Sequence, residues 1–358
     1  MTAFLKAMLV MRQARILLHR RGETPAESLD YERDGYYHCI SRVIEQRFIF
    51  GEEEKTYFYH LMRRLERFTG LEIVTYCLMS NHFHLLLRVP APGRITPLSL
   101  PELEAELRIL HCVPPGGTSL ALQEIERARA SGSSTWEKEI LARHEARRGD
   151  LSSFMKELKQ RFSVWYNQRI GRRGPLWEDR FKSVLIEGMD EALMTVAAYI
   201  ELNPVRAGLV EDPKDYRWCG YAEAVVGRKL AQRGLCRLLD QTSYGINRKV
   251  NWRGVSRRYR QLLFEHGEES ERYRGISRKR VDEVIASGGK LSIPEILRCR
   301  VRYFCDGAIL GRKVFVEKIF KTNRWRYSPT RKNGACEMRG AEWGDLRTLR
   351  NLRTKTIF

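Results

Sequence analysis

The stretch SNHFHLLLRV, residues 80–89, sets two histidines one residue apart at the start of an apolar run. Side chains alternate along a β-strand, so His82 and His84 share one face of it. Phe83 and Leu85 share the other face. Two imidazoles at positions i and i+2 can hold one divalent cation and leave positions for further ligands. The alternative is that they are two ordinary, half-exposed polar residues beside a hairpin turn.

The segments around this stretch predict an α+β fold with helices packed on a mainly antiparallel sheet. Ser80 and Asn81 join two predicted strands into a hairpin, and Gly70 ends the helix that precedes them. Periodicity places strands in 34–45, 71–79, 82–89 and 181–187, and helices in 52–70, 151–169 and 190–203. The order strand, helix, strand, strand therefore precedes a second helix and strand.

Composition divides the chain into three parts. We expect a basic leader at 1–30, a main domain at 31–228 and a basic, mainly helical C-terminal domain at 229–358, with DNA binding as one role for the last. The leader is interpreted as an amphipathic helix, with a transit peptide as the alternative. A Pro- and Gly-rich insertion at about 90–150 is expected to carry two helices. Ser292 as an N-cap, with Gly307 and Gly311 later, leaves a helix-turn-helix or a plain helical hairpin open for the C-terminal part.

The charge of the chain favours an anionic polymer as partner. With 64 Lys and Arg against 44 Asp and Glu, the formal charge is +20. Residues 241–358 hold 28 basic and 12 acidic residues, so they supply most of that excess. Nucleic acid is the first partner to test. No apolar run approaches the ~20 residues of a membrane span, and eight cysteines without a CxxC pair predict reduced thiols in a cytoplasmic protein.

The segment KELKQRFSVWYNQRIGRRGPLWEDRFKSV, residues 156–184, interleaves cations with aromatic rings. Cations can follow a phosphate backbone while rings stack on unpaired bases. The alternative is a solvated basic helix whose rings face the core, and we expect this of Phe162 and Phe181. The nucleic-acid contacts predicted from this segment are Arg169, Arg172, Arg173, Trp177, Arg180 and Lys182.

A third motif is AAYIELNPVRAGLV, residues 197–210. On a helix Tyr199 and Asn203 share a face, and Pro204 and Gly208 mark where the helix ends or turns. A phenol is a weak nucleophile at neutral pH, but near a cation it can attack a phosphate. A tyrosine that only packs its ring is the alternative.

Taken in order, YYHCISRV, YCLMSNHFHLLLRV, RFSVWYNQRIGRRGPLWEDRFKS and YIELNPVRAGLVEDPKDYRWCGYAEAVVG resemble the REP-associated tyrosine transposases, which are single-tyrosine HUH transposases of the insertion-sequence two-hundred-like group. The resemblance spans about 31–228. It implies a ferredoxin-like antiparallel sheet, His82 and His84 as metal ligands, Tyr199 as the nucleophile and Asn203 as the third ligand. Many transposases of the wider class have Gln at that last position. Tyr166 is the fallback nucleophile.

The function implied is a metal-dependent endonuclease and transposase that cleaves and rejoins single-stranded, hairpin-forming DNA through a 5′-phosphotyrosine link. The cofactor is Mg²⁺ or Mn²⁺, since an amide oxygen suits a hard cation. The protein would act as a monomer or homodimer, away from membranes. Two alternatives are a domesticated protein that binds nucleic acid without cutting it, and another HUH nuclease such as a replication initiator or relaxase.

Overall fold

The structure, a computed structural model, describes residues 16–18, 30, 32–239, 251–263, 292–297 and 301–349. The predicted leader at 1–30 lies almost wholly outside the described residues. The strands are β1 (Gly35–Arg42), β2 (Glu72–Leu78), β3 (His82–Val89), β4 (Lys182–Ile186), β5 (Ile309–Arg312), β6 (Cys336–Glu337) and β7 (Leu346–Thr348). They form one sheet in the order β2-β3-β1-β4-β5-β7-β6. Within it the β4–β5 pair is parallel and the others are antiparallel.

Thirteen α-helices are described. They are α1 (Glu52–Thr69), α2 (Leu100–Leu110), α3 (Leu120–Ser131), α4 (Ser134–Glu145), α5 (Leu151–Arg169), α6 (Asp190–Glu201), α7 (Asn203–Arg206), α8 (Gly220–Val225), α9 (Lys229–Cys236), α10 (Trp252–Leu263), α11 (Ile293–Leu297), α12 (Arg302–Asp306) and α13 (Lys313–Thr322). The α+β fold with a mainly antiparallel sheet is therefore confirmed.

The first four strands have the ferredoxin-like order β2-β3-β1-β4, with α1 after β1 and α5 before β4. Helices α1 and α5 pack together on the sheet face that carries Phe83. The ring centroid of Phe58, on α1, lies 4.8 Å from that of Phe83 and 5.2 Å from that of Phe162, on α5. Helix α6 packs on β2 and β3 from the opposite face. Both faces of β3 are thus covered.

Local sequence signals explain the bounds of α1. Three acidic residues, Glu52, Glu53 and Glu54, lie in its first turn, where the helix dipole favours negative charge. Gly70 follows its last residue with φ 70°, a left-handed conformation that favours glycine. Its apolar residues Phe58, Leu61 and Leu65, together with Phe68, are buried at helical spacing. These signals place the helix where the sequence predicts it.

The insertion at about 90–150 holds three helices, α2, α3 and α4, so the expectation of two was wrong. The tight Ser131–Gly132–Ser133 connection separates α3 from α4. Gly132 adopts φ 65°, and Ser133 caps α4 by accepting a hydrogen bond from the backbone N–H of Trp136. The serine-rich composition of this stretch predicts a loop, but in the structure α3 ends there and α4 begins directly after it.

The C-terminal part is not a helix-turn-helix in the described residues. Between α12 and α13 the chain forms β5, which pairs in parallel with β4 and continues the sheet. Gly311 permits this approach, because a Cβ added there would lie 2.6 Å from Cβ of Glu187. The sequence predicts a turn between helices at this point, but in the structure Gly311 allows β5 to lie close to β4. Ser292 does cap α11. Its hydroxyl accepts a hydrogen bond from the backbone N–H of Glu295, and the Glu295 carboxylate accepts one from the backbone N–H of Ser292.

Within the described residues, no helix combines the length and apolar composition needed to cross a bilayer.

Candidate functional site

The strand register gathers polar side chains on one face of the sheet, which we call the histidine face. His84 pairs with Ile40 of β1, and His82 pairs with Arg42. Ile40 also pairs with Lys182 of β4. Cross-strand partners project to the same side. His38, His82, His84, Arg42 and Lys182 therefore share the histidine face, opposite Phe83.

His84 is held by a chain of buried hydrogen bonds. Nδ1 of His38 lies 2.9 Å from the carbonyl oxygen of Phe304, and Nε2 of His38 lies 2.9 Å from Nδ1 of His84. A carbonyl oxygen only accepts, so the proton of a neutral His38 sits on Nδ1 and its Nε2 accepts. Nδ1–H of His84 then donates to it, and Nε2 of His84 carries the lone pair. The carbonyl of Phe304 in this way determines the tautomer of His84.

A second chain orients His82. Its Nδ1 lies 2.6 Å from Oδ1 of Asn81, whose Nδ2 donates to the carbonyl oxygen of Gln46 at 3.0 Å. Since the amide nitrogen of Asn81 faces Gln46, its oxygen faces His82 and accepts a proton from Nδ1. Nε2 is then the basic nitrogen of His82. Glu45 and Gln46 hold left-handed backbone angles, with φ of 56° and 55°, which is unusual for residues with a side chain.

The electrostatics suit neutral imidazole ligands. Burial lowers the pKa of His38 to about 3. Burial, and next the neighbouring His82, lowers the pKa of His84 well below its ordinary value. Metal ligation requires deprotonated imidazole nitrogens. The ring centroids of His82 and His84 are 5.0 Å apart, so the donor chemistry of this pair fits a divalent cation.

Further ligands of such a cation must come from another residue type. Within the described ranges, His, Cys, Asp and Glu side chains form no group of three that could hold a metal ion. Asn203 begins α7, and its amide nitrogen donates to the carbonyl oxygen of Ile200 at 3.0 Å. This hydrogen bond orients the amide and leaves the carbonyl oxygen as the atom that suits a hard cation. The hydrogen bonds of that nitrogen are with the preceding helix and not with the histidines.

Tyr199 lies beside the histidines. Its ring centroid is 6.3 Å from that of His84 and 6.2 Å from that of His38, in both cases edge to face. Only 2% of the residue is exposed, and its hydroxyl lies 3.1 Å from Sγ of Cys305. The structure therefore brings the phenol ring to the histidine face, with its hydroxyl turned toward α12 and away from solvent.

Tyr166 occupies the other side of the sheet. It is buried on α5, with its ring stacked on that of Phe162 at 6.1 Å between centroids. Phe162 in turn packs on Phe58, which contacts Phe83. The sheet thus separates this fallback nucleophile from His82 and His84.

Arg206 links Tyr199 to the C-terminal part. Its guanidinium carbon lies 4.0 Å from the ring centroid of Tyr199, a cation–π distance. The same guanidinium donates to the carbonyl oxygens of Tyr199 at 2.9 Å and of Leu297 at 2.7 Å. Phe304, Cys305 and Leu297 all belong to the last third of the chain. This part therefore completes the site, and residues 31–228 alone do not contain it.

The residues expected to contact nucleic acid divide into two groups. Arg169 pairs with Glu53 and Glu54, and Arg172 donates to the carbonyl oxygen of Pro175 at 2.8 Å. Trp177 donates through Nε1 to Oγ of Ser163 at 2.8 Å and packs edge to face on Phe83. These three side chains therefore make contacts within the protein, and the partly buried ring of Trp177 packs against the core.

The other three candidates remain near solvent. Arg173 and Arg180 are exposed and form no ion pair among the described residues. Lys182 lies on the histidine face and pairs with Asp306 at 2.8 Å. As expected, Phe162 and Phe181 are buried.

Sequence reasoning missed His38, Arg42 and Arg206. The first two could have been found, because YYHCISR alternates as a strand and places His38 and Arg42 on one face. Their proximity to the pair at 82 and 84 required the β1–β3 register. Arg206 follows Asn203 by one turn, but only the fold shows that it covers the ring of Tyr199.

Comparison with known proteins finds a family match for part of the chain. Residues 32–98 match the family model described as "Transposase IS200 like". This segment includes β1, α1, β2 and β3, and therefore His38, Arg42 and both histidines of the pair. No curated protein matches the sequence.

One solved structure that resembles the chain is described as a REP-associated tyrosine transposase bound to a REP hairpin. The two share 15% sequence identity, and the TM-score is 0.36. The match covers 61% of this chain and 87% of that chain.

Proposed function

We propose that the protein is a single-strand DNA endonuclease and strand transferase that uses Tyr199 as its nucleophile beside a divalent cation. The carrying observation is the position of the Tyr199 ring, 6.3 Å from that of His84, on the same sheet face as His82. The match of residues 32–98 to IS200-like transposases supports DNA processing as the general activity. The ion is Mg²⁺ or Mn²⁺.

In this proposal His82, His84 and Asn203 hold the ion. Both histidines have their protons on Nδ1 and can use Nε2 as the donor atom. Asn203 would add an amide oxygen, which hard cations accept readily. Bound there, the cation would polarise the scissile phosphate and offset its charge.

Two protein cations lie on the same sheet face as the histidines. Arg42 lies opposite His82 in the register and is half-buried, and Lys182 lies one strand further along on the same face. A charged donor beside a phosphate oxygen stabilises the charge that builds up as phosphorus is attacked. We propose that Arg42 contacts the scissile phosphate and that Lys182, Arg173 and Arg180 contact the DNA backbone nearby.

The proposed step is a transesterification. The phenol oxygen of Tyr199 forms a bond to phosphorus, and the bond from phosphorus to the 3′ oxygen breaks. The phenol proton passes to water, and the departing 3′ oxygen takes up a proton to become a hydroxyl. A 5′-phosphotyrosine ester remains on the protein, and attack by the 3′ hydroxyl of another strand reverses the step.

The hydroxyl of Tyr199 must move before it reacts. In the present arrangement it contacts Cys305 and is shielded from solvent. A phosphate can reach it only after the side chain or α12 shifts. The arrangement described here is therefore the closed form in this proposal.

The substrate and setting follow from the sequence resemblance. We propose single-stranded DNA that folds into a hairpin as the partner, a cytoplasmic location, and a monomer or homodimer as the active form. The main domain at 31–228 would supply the ligands and the nucleophile. The domain at 229–358 would hold His38 and Tyr199 in place through Phe304 and Cys305.

The test is formation of a covalent adduct. The full chain is incubated with labelled single-stranded hairpin DNA and Mn²⁺ and then analysed under denaturing conditions. Tyr199→Phe should abolish the adduct, whereas Tyr166→Phe, on the opposite side of the sheet, should retain it. An adduct that persists in Tyr199→Phe would refute the assignment of the nucleophile.

One observation favours a different function. The burial of the Tyr199 hydroxyl suits a domesticated protein that binds nucleic acid without cutting it. In that case the wild type would bind the hairpin and form no adduct with Mg²⁺ or Mn²⁺. Another HUH nuclease, such as a replication initiator or relaxase, would form the adduct on DNA without a hairpin.

A further inference from the structure

We propose that Trp325 and the cations around it form a second binding surface, which holds single-stranded DNA outside the histidine face. This surface, the Trp325 surface, comprises Lys321, Arg324, Trp325, Arg326 and Lys332. The inference rests on the proposed function for the identity of its ligand as DNA. It adds a site whose ring and charges are independent of the metal-ligand set.

The segment 312–333 is strongly basic. It contains eight Lys and Arg residues and one acidic residue, Glu317. The Glu317 carboxylate is occupied in the fold, because it accepts hydrogen bonds from the backbone N–H groups of Gly334 and Ala335 at 3.0 and 2.7 Å. Eight cations against one carboxylate leave the segment with an excess of seven positive charges, which favours a polyanion as partner.

Some of these cations have ion-pair partners among the described residues, and others have none there. Arg312 pairs with Glu187 at 2.7 Å, and Lys318 pairs with Asp30 at 3.1 Å. Lys321 and Lys332 are exposed and make no ion pair among the residues that the structure describes. These two ammonium groups are available for phosphates.

Trp325 is 75% exposed. A tryptophan normally buries much of its large apolar surface, whereas this indole is open to solvent. The guanidinium carbon of Arg326 lies 4.7 Å from its ring centroid, within cation–π distance. A flat ring flanked by cations is the combination on which unpaired bases stack while the backbone phosphates are neutralised.

The loop that follows Trp325 is held in place. Arg324 donates to the carbonyl oxygens of Ser328 and Pro329, each at 2.8 Å. Asn323, before it, is buried and donates to the carbonyl oxygen of Ile319 at 3.0 Å. A binding surface held in one shape loses less conformational entropy when its ligand binds.

The Trp325 surface is connected to the sheet that carries the histidine face. Helix α13 precedes it and packs on β5 and β7, and β5 pairs directly with β4, which carries Lys182. One part of a single-stranded DNA would therefore lie on the Trp325 surface while another part of the same DNA contacts the histidine face. A base-paired duplex would not use the ring in this way, since its bases already stack on one another.

The test measures binding apart from cleavage. Fluorescence anisotropy with a labelled 20-nucleotide oligothymidylate is recorded in the Tyr199→Phe background, so that no adduct forms. Trp325→Ala should weaken binding about tenfold, because stacking on one base contributes about that factor. Trp325→Phe should restore most of the affinity. The matched control is Val314→Ala, at an equally open apolar residue of the same segment, which is 81% exposed and should bind as the parent does.

A second measurement tests the charges. In Lys321→Gln/Lys332→Gln, the negative slope of log affinity against log salt concentration should become shallower by about 1.4, or about 0.7 for each phosphate that the protein no longer neutralises. Arg127→Gln, at an exposed arginine of α3, should leave the slope unchanged. Unchanged affinity in Trp325→Ala, or an equal loss in Val314→Ala, would overturn the inference.

The two proposals fail separately. If the wild type forms no adduct but binding depends on Trp325, the nuclease assignment is wrong and this surface stands. If the adduct forms and binding of the oligonucleotide ignores Trp325, the surface is wrong and the nuclease assignment stands.

Discussion

At the scale of single residues, the site depends on where two protons sit. The carbonyl of Phe304 determines the tautomer of His38, and His38 determines that of His84. Phe304 and His38 are 266 residues apart in sequence. The alternation of side chains along a strand is enough to place His82 and His84 on one face. It does not show that His38 orients His84, because that contact depends on the pairing of β1 with β3.

We predict that His38→Leu weakens binding of Mn²⁺ by about tenfold or more, because His84 loses the acceptor that holds its Nδ1 proton. His38→Gln should retain much of the affinity, since one amide can donate to Phe304 and accept from His84. Calorimetric titration with Mn²⁺ measures both. Equal affinity in His38→Leu and the wild type would show that this chain of hydrogen bonds is irrelevant to the metal.

At the scale of elements, a buried ion network joins α1 to α8. Arg63 pairs with Glu66 at 2.7 Å and with Glu223 at 2.6 Å, and all three side chains are about nine-tenths buried. Tyr59 also donates to Glu223, at 2.6 Å. Removing Glu223 leaves one guanidinium nitrogen of Arg63 and the hydroxyl of Tyr59 without their acceptor.

We expect Glu223→Ala to lower the free energy of unfolding by about 3 kcal/mol, because two donors lose their acceptor. Glu106→Ala is the matched control, because Glu106 also pairs with an arginine of α1, Arg67, which is mostly exposed. That change should cost less than about 1 kcal/mol. Urea unfolding distinguishes the two, and similar losses would contradict the role assigned to burial.

The insertion has its own pH dependence. His144, on α4, is buried, and burial followed by the charges of Arg147 and Arg143 lowers its pKa to about 4. Glu124 acts in the opposite direction and His111 in the same direction. Nη1 of Arg147 donates to Nδ1 of His144 at 2.9 Å, which requires a neutral imidazole there.

A histidine with a depressed pKa binds more protons when unfolded, so its contribution to stability is lost as pH falls. The loss should occur between about pH 6.5, the unfolded value, and about pH 4, the folded value. His144→Gln should flatten the decline in stability across this window. Unfolding midpoints recorded at half-unit pH steps would show it, and parallel curves for the two proteins would count against it.

At the scale of the whole molecule, the sequence predicted the first four strands and their two helices well. Alternation in 82–89 and the helical spacing ending at Gly70 are local signals, and both hold in the structure. The C-terminal third was harder, because its strands are only two to four residues long. Such short strands have too few residues for a period to be visible, and the pairing of β5 with β4 is non-local.

The joining of β5 to the sheet gives a prediction for Gly311. A methyl group there would meet Glu187 at 2.6 Å, so Gly311→Ala should destabilise the protein by about 1–3 kcal/mol. Gly93→Ala is the control, since nothing lies within 4 Å of its added Cβ. Thermal unfolding of both variants tests the point. A neutral Gly311→Ala would mean that β4 and β5 are not packed this closely.

The most direct measurement of the central claim identifies the residue that becomes linked to DNA. The wild-type protein is allowed to react with single-stranded hairpin DNA and Mn²⁺, digested with nuclease and protease, and its peptides are analysed by mass spectrometry. We predict a nucleotide-phosphate mass on Tyr199, and none after His84→Ala. A modified tyrosine elsewhere, or an undiminished signal in His84→Ala, would contradict the account.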